Sequence, residues 1–194
     1  LEGGVLNTLK TVLSLLYSNN GQVKDAVKVI IDSPLLEHQA MLIHLYIKLD
    51  RCDMARRQYQ KMVSVDDESP LTQLSNAWVC IGEEKYQEAS YIFEELSDKF
   101  GASPLLLNGL AVSKVHLEEY QEAEEALKEA LTKSPGNVDT LANLVVVGQY
   151  LRRTQEEQNR YIGQLQKLAP GHQLCTTLAS FQGAFDRVAS TMSN

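Results

Sequence analysis

The chain has 194 residues and little of what disulfide, metal or nucleophilic chemistry needs. Its three cysteines, Cys52, Cys80 and Cys175, are odd in number, far apart and form no C-x-x-C pair. That excludes a disulfide framework and points to a reducing compartment. No Asn-x-Ser/Thr sequon occurs, which agrees. The four histidines, His38, His44, His116 and His172, are scattered. His38 and His44 lie six residues apart and fall on different faces of any helix, so no metal or catalytic role is expected of them. The phosphate-binding glycine loops, the H-E-x-x-H zinc motif and the G-x-S-x-G nucleophile elbow are all missing. The chain therefore reads as a non-enzyme without cofactor, metal or small-molecule substrate. Positive charge is also scarce: 18 Lys and Arg stand against 25 Asp and Glu, a net charge of −7. Nucleic acid and anionic membrane surfaces reward the opposite sign, so neither is an expected partner. The longest strongly apolar stretch, 141–151, falls well short of the roughly 20 residues a bilayer span requires, and no signal peptide is visible.

Proline is scarce as well, and its spacing is informative. The five prolines sit at 34, 70, 104, 135 and 170, with gaps of 36, 34, 31 and 35. Because proline is expelled from helix interiors, evenly spaced prolines mark evenly spaced helix boundaries. Other residues keep the same interval. Ala55, Ala89 and Ala123 are 34 apart, as are Tyr59, Phe93, Leu127 and Tyr161, and Ala26 lies 29 before Ala55. Tyr86 and Tyr120 match, as do Ala77 and Ala111. Leu107, Leu110 and Ala111 return as Leu141, Leu144 and Val145.

Within each period the apolar residues recur at three- and four-residue steps. Tyr120, Ala123, Ala126, Leu127, Ala130 and Leu131 make one helix face, and the acidic residues between them make its solvated side. The spacing predicts first helices over 71–81, 105–117 and 140–151, and second helices over 87–99, 121–133 and 156–168. No alternating strand pattern of useful length appears. A helix–turn–helix unit of about 34 residues with small residues at fixed places is the tetratricopeptide pattern. The expected fold is all-α: a right-handed tetratricopeptide superhelix, an α-solenoid, with a C-terminal capping helix. A single domain over 1–194 is expected, with repeats near 5–33, 36–69, 70–103, 104–137 and 138–170 and a cap at 174–190. The pattern weakens at 5–33, and in the last repeat Glu157 stands where alanine is expected.

In such an array the first helices line an inner groove, with side chains from the second, fifth, ninth and twelfth positions of each repeat. Counting gives Leu71, Leu74, Trp78 and Ile81; then Leu105, Asn108, Val112 and Val115; then Asp139, Ala142, Val146 and Gln149. The expected partner-binding residues are Leu71, Leu74, Trp78, Ile81, Asn108, Val112, Val115, Ala142, Val146 and Gln149. Most are apolar. Either a protein partner such as an amphipathic helix or hairpin fills this groove, or neighbouring repeats cover it. Trp78 is the expected anchor. A generic adaptor or co-chaperone reading peptide tails is the alternative, but such a clamp needs the Lys and Arg that this groove lacks.

Several segments also resemble one family in particular, the coatomer epsilon subunits. They are Leu71-Thr72-Gln73-Leu74 with Ala77-Trp78, then Tyr91-Ile92-Phe93, and Leu105-Leu106-Leu107-Asn108-Gly109. The likeness continues through Thr140-Leu141, Asn143-Leu144, Asn159-Arg160-Tyr161, Gln164-Leu165 and Phe185-Asp186-Arg187. Ile47-Lys48-Leu49-Asp50-Arg51 and Ala55-Arg56 fit too, so the resemblance covers roughly 37–188. It implies a non-catalytic subunit of the COPI vesicle coat that binds and stabilises the C-terminal domain of the alpha subunit, alpha-COP, among the other coatomer subunits. It implies a cytoplasmic protein, peripheral on Golgi membranes and COPI-coated vesicles without membrane insertion, in Golgi-to-endoplasmic-reticulum and intra-Golgi transport. Members of that family carry further N-terminal repeats. With Leu1 in place of Met, the chain is expected to be a piece lacking that part.

Overall fold

The computed structural model describes residues 2–192, with side chains from residue 4 onward. Eleven helices are present among these residues, and no strand. They are α1 (Glu2–Asn19), α2 (Val23–Ile30), α3 (Leu36–Lys48), α4 (Cys52–Val65), α5 (Pro70–Gly82) and α6 (Tyr86–Phe100), followed by α7 (Pro104–His116), α8 (Tyr120–Lys133), α9 (Val138–Tyr150), α10 (Gln155–Leu168) and α11 (Gln173–Met192). Helices α5 to α10 begin and end within two residues of the periods read from sequence. Pro70 and Pro104 open α5 and α7 at the first helical turn, where a missing N–H costs nothing. The side chains of Ser103, Asn137 and Thr154 accept the first free N–H groups of α7, α9 and α10. The chain forms two compact units, one ending at Gly101 and the other beginning at Ala102.

In each unit the helices pack as consecutive antiparallel pairs, and their crossings are built on small residues. Ala26, Ala55, Ala89 and Ala123 are completely buried, and so is Ala77. In the first unit Ser14 of α1 takes the same role, its hydroxyl donating to the Ala26 carbonyl at 3.1 Å. Around these crossings Ile30, Ile43, Met62 and Val79 fill the first core, while Leu127, Leu141, Leu144 and Leu165 fill the second. In the last pair, where Glu157 replaces alanine, the neighbouring Gln158 is buried instead. It fits because Gly148 of α9 faces it: a Cβ there would lie 1.8 Å from Gln158 Nε2.

The turn inside each pair carries a second periodic feature, invisible in residue type. Asp50, Glu84, Glu118 and Arg152 all have positive φ, between 52° and 64°, and they are spaced 34 apart. In the first pair the same left-handed place is taken by Gly21. The conformation lets the next N–H turn back to the preceding helix, as Glu119 N does to the Lys114 carbonyl at 2.9 Å.

Ion pairs tie the pair ends together. The Arg56 guanidinium of α4 forks onto Glu83, at 2.9 and 2.7 Å, and reaches Asn76 at 3.0 Å. Lys85 adds a contact to Glu83 at 2.9 Å. The Arg56 hydrogen bonds hold the Glu83 carboxyl down at about 2. In the second unit the nearly buried Glu124 accepts a fork from Arg153 at 2.9 and 2.7 Å and a contact from Lys128 at 2.9 Å. Burial alone would raise that carboxyl; the hydrogen bonds from Arg153 and Lys128 outweigh it and lower its pKa.

At both ends apolar side chains stay in water. In α1, Val5, Leu6, Leu9 and Leu16 are exposed. In α11 only Cys175 is buried, with Leu174 packed beside the core, while Phe181 and Phe185 project outward.

Three outcomes are expected. Ala123→Leu should lower the melting temperature through overpacking of about 1–3 kcal/mol; an unchanged thermal melt would contradict the close crossing. Glu118→Gly should raise it by roughly 2–4 °C, because glycine removes a left-handed penalty of about 1 kcal/mol. Finally, Glu83 has a folded pKa below its usual 4.5, so the stability it contributes is present above pH 4.5 and is lost as pH falls toward 2. Denaturant melts across that window should show a shallower pH dependence in Glu83→Gln than in the parent chain.

Candidate functional site

In the first unit, α5 sets Leu71, Leu74, Trp78 and Ile81 along one face at helical spacing. All four are half-buried, whereas Thr72, Ser75, Ala77, Val79 and Cys80 on the other side are buried. Leu71 rests against the first core. The Trp78 ring meets the ring of His44 edge-on, with centroids 6.1 Å apart and planes at 61°. His44 stands on α3, 34 residues earlier, so the aromatic face spans two successive first helices. Partial burial lowers the His44 pKa, and the Lys48 charge lowers it further. The imidazole is thereby biased toward its neutral, stackable form. Cys80 is buried behind this face, and burial raises its thiol pKa, which leaves it a core residue rather than a nucleophile.

In the second unit, α7 carries Asn108, Val112 and Val115, and α9 carries Ala142, Val146 and Gln149. Val112, Val115 and Val146 converge on one cavity of about 190 Å³ whose walls include Ala111, Leu127 and Asn143. Ala142 is buried, yet with Val146 and Asn143 it borders a second, more open cavity of about 530 Å³. Asp139 also borders it, together with Leu174 of the first turn of α11 and His172 just before that helix. Asn108 is half-buried and contributes hydrogen bonds rather than surface. Gln149 and Leu105 are exposed and border neither cavity.

No Lys or Arg lines either cavity. The nearby cation, Lys114, is drawn away by Glu119 and Glu122, each 2.8 Å from its ammonium. Hydrogen bonds to those carboxylates raise its pKa and keep it charged and engaged. Among the described residues no cluster of His, Cys, Asp and Glu is placed to hold a metal ion, and no helix is long and apolar enough to cross a membrane.

Asn143, His172 and Leu174 were not expected at this site. Asn143 follows Asn108 by 35 residues rather than 34. Strict counting by the repeat lands on Ala142, one position short. His172, just before α11, and Leu174, in its first turn, come from outside the repeat altogether, and only the packing of the start of that helix brings them to α9.

Chains of known structure share the architecture at low sequence identity. A thermophilic TPR protein of Thermus thermophilus superposes with a TM-score of 0.76 at 13% identity, over 89% of this chain and 96% of that one. A tetratricopeptide repeat protein of Parabacteroides merdae superposes with a TM-score of 0.71 at 20% identity, over 82% of this chain and 63% of that one. These establish an all-α tetratricopeptide fold. Sequence relatives are more specific. The coatomer subunit epsilon of Dictyostelium discoideum is 33% identical over 181 residues, 92% of this chain and 60% of that protein. The coatomer subunit epsilon-2 of Oryza sativa is 38% identical over 160 residues, 81% of this chain and 53% of that protein. The chain thus spans between half and two thirds of the length of these relatives. The family model described as coatomer epsilon subunit matches residues 2–193. Matched by that model over residues 2–193, the chain belongs to the coatomer epsilon subunit family.

Proposed function

We propose that the chain is a non-catalytic structural element of the COPI coat, holding the C-terminal domain of the alpha subunit against the inner faces of its first helices. Its place is then cytoplasmic, peripheral on Golgi membranes and COPI-coated vesicles, in Golgi-to-endoplasmic-reticulum retrieval and intra-Golgi transport. The observation that carries this reading is the chemistry of those faces. Leu71, Leu74, Trp78 and Ile81 in one unit, and Val112, Val115 and Val146 in the other, remain partly open to solvent. Apolar surface of this kind is costly in water and is recovered when a protein partner covers it. The alternative of a tail-reading co-chaperone is disfavoured: no Lys or Arg lines the cavities, and Lys114 is held by two carboxylates.

Affinity capture from cytosol tests the proposal. Co-purification of the alpha subunit with other coatomer subunits is expected; recovery of Hsp70 or Hsp90 alone would overturn it. Trp78→Ala should weaken capture of the alpha subunit about tenfold or more, since buried aromatic anchors dominate interface energy, with the melting curve shifted little. Undiminished capture by this variant would place Trp78 in the core rather than at an interface.

A further inference from the structure

The last helix, α11, carries a second regularity that the 34-residue interval does not explain. Leu174, Leu178, Phe181, Phe185, Val188 and Met192 follow one another at steps of four, three, four, three and four residues. That is the a/d seam of a heptad, kept from the first turn of the helix to its last residue. Only its start is used inside the chain: Leu174 packs beside the core, Cys175 next to it is buried, and Leu178 is half-buried. From there the seam stands in water, with Phe181 68%, Phe185 72%, Val188 57% and Met192 83% exposed. The neighbouring helix leaves it open. Ile162, Gly163 and Gln166 of α10 face Leu178, Phe181 and Phe185 across a groove of about 690 Å³.

The residues beside the seam decide what can cover it. With Leu178 as an a position, the e positions are Cys175, Gln182 and Ala189, and the g positions are Thr177, Ala184 and Thr191. None is charged. Charges at e and g ordinarily select a foreign helix and keep like helices apart. With neither device present, nothing opposes pairing of this helix with itself. A second copy also matches it in shape. In an antiparallel pair whose two-fold axis is level with Gly183, Phe181 of one copy meets Phe185 of the other, Leu178 meets Val188, and Met192 lies over Leu174. Every layer then joins an a residue to a d residue. The two helix dipoles oppose, and the bodies of two chains of net charge −7 stand at opposite ends of the pair. The charged residues of the helix, Asp186 and Arg187, fall outside the seam and its flanks. One cation against one anion also suits a lipid surface poorly, since interfacial helices carry an excess of Lys and Arg. The four exposed seam residues offer roughly 500 Å² per copy, or about 1,000 Å² between two, the lower limit for a specific interface.

We propose that α11 is a self-association element, through which two copies of this chain pair antiparallel in a weak homodimer centred on Phe181 and Phe185. The proposal goes beyond the reading above and does not depend on it, because no seam residue belongs to the inner faces assigned to the alpha subunit.

Sedimentation equilibrium of the chain is the test. Reversible dimer formation at roughly 10–100 μM is expected for an interface of this size. Phe181→Lys and Phe185→Glu should each weaken dimerisation about tenfold or more. Because both side chains are exposed, the thermal melt of dilute protein should not change. Leu9→Glu, on the exposed face of α1, should leave the dimer intact. An equimolar mixture of the Phe181→Lys and Phe185→Glu proteins should recover dimerisation. The antiparallel pair sets the introduced cation against the introduced anion in one layer and restores Phe against Phe in the other, whereas a parallel pair leaves both layers mismatched. A parent chain that stays monomeric up to about 1 mM overturns the proposal. So does a dimer that survives Phe185→Glu, one that is lost with Leu9→Glu, or one that the mixture fails to recover. Binding to vesicles of phosphatidylcholine and phosphatidylserine that is lost in Phe185→Glu protein, with no dimer in solution, assigns the seam to lipid and overturns it too.

Discussion

The first four helix pairs, from α1–α2 to α7–α8, depend on a backbone approach that a methyl or hydroxymethyl side chain permits and a larger one would block. Ala26, Ala55, Ala89 and Ala123 lie at zero exposure at these crossings, with Ser14 facing Ala26. Close crossings let the larger residues one turn away, such as Phe93 and Leu127, be swallowed completely. The last pair shows that the constraint is distance rather than alanine itself. Where Glu157 displaces the small residue, Gly148 on the opposing helix yields the space and Gln158 takes it.

Once the pairs are closed this tightly, the chain must reverse in very little length. Positive φ at Asp50, Glu84, Glu118 and Arg152 achieves that reversal, at the expense of local strain in each turn. Packing of the pair compensates it, and the Arg56–Glu83 and Arg153–Glu124 forks fasten neighbouring pairs where these turns emerge. These forks are also why the charges near the inner faces are consumed internally. Lys114 likewise turns to Glu119 and Glu122. What remains toward the inner faces is mostly apolar, relieved by the edge-on His44–Trp78 contact in one unit and by the amide chain ending at Asn143 in the other.

The surface chemistry that follows suits durable association more than capture of charged tails. Partly exposed Leu, Val and Trp side chains offer apolar area without the cations that make binding strongly salt-dependent.

Much of this was legible in the residues alone. Proline and alanine at intervals near 34 located the helix pairs, because helix geometry and close packing tolerate few substitutes at those places. Counting by the interval also named Trp78, Val112, Val115 and Val146, all of which stand on partly open helix faces. The left-handed turns could not be read, since Asp, Glu and Arg there carry no conformational signature. Asn143 escaped notice because it sits one position out of step with Asn108, and its direction is set by the Pro104 carbonyl and the Thr140 N–H through partners met only in the folded unit. Periodicity thus determined the architecture, since it records constraints each residue feels from its own helix. The amide chain joining Asn108 of α7 to Thr140 and Asn143 of α9 was decided by tertiary structure, since it arises only where two helices exchange hydrogen bonds.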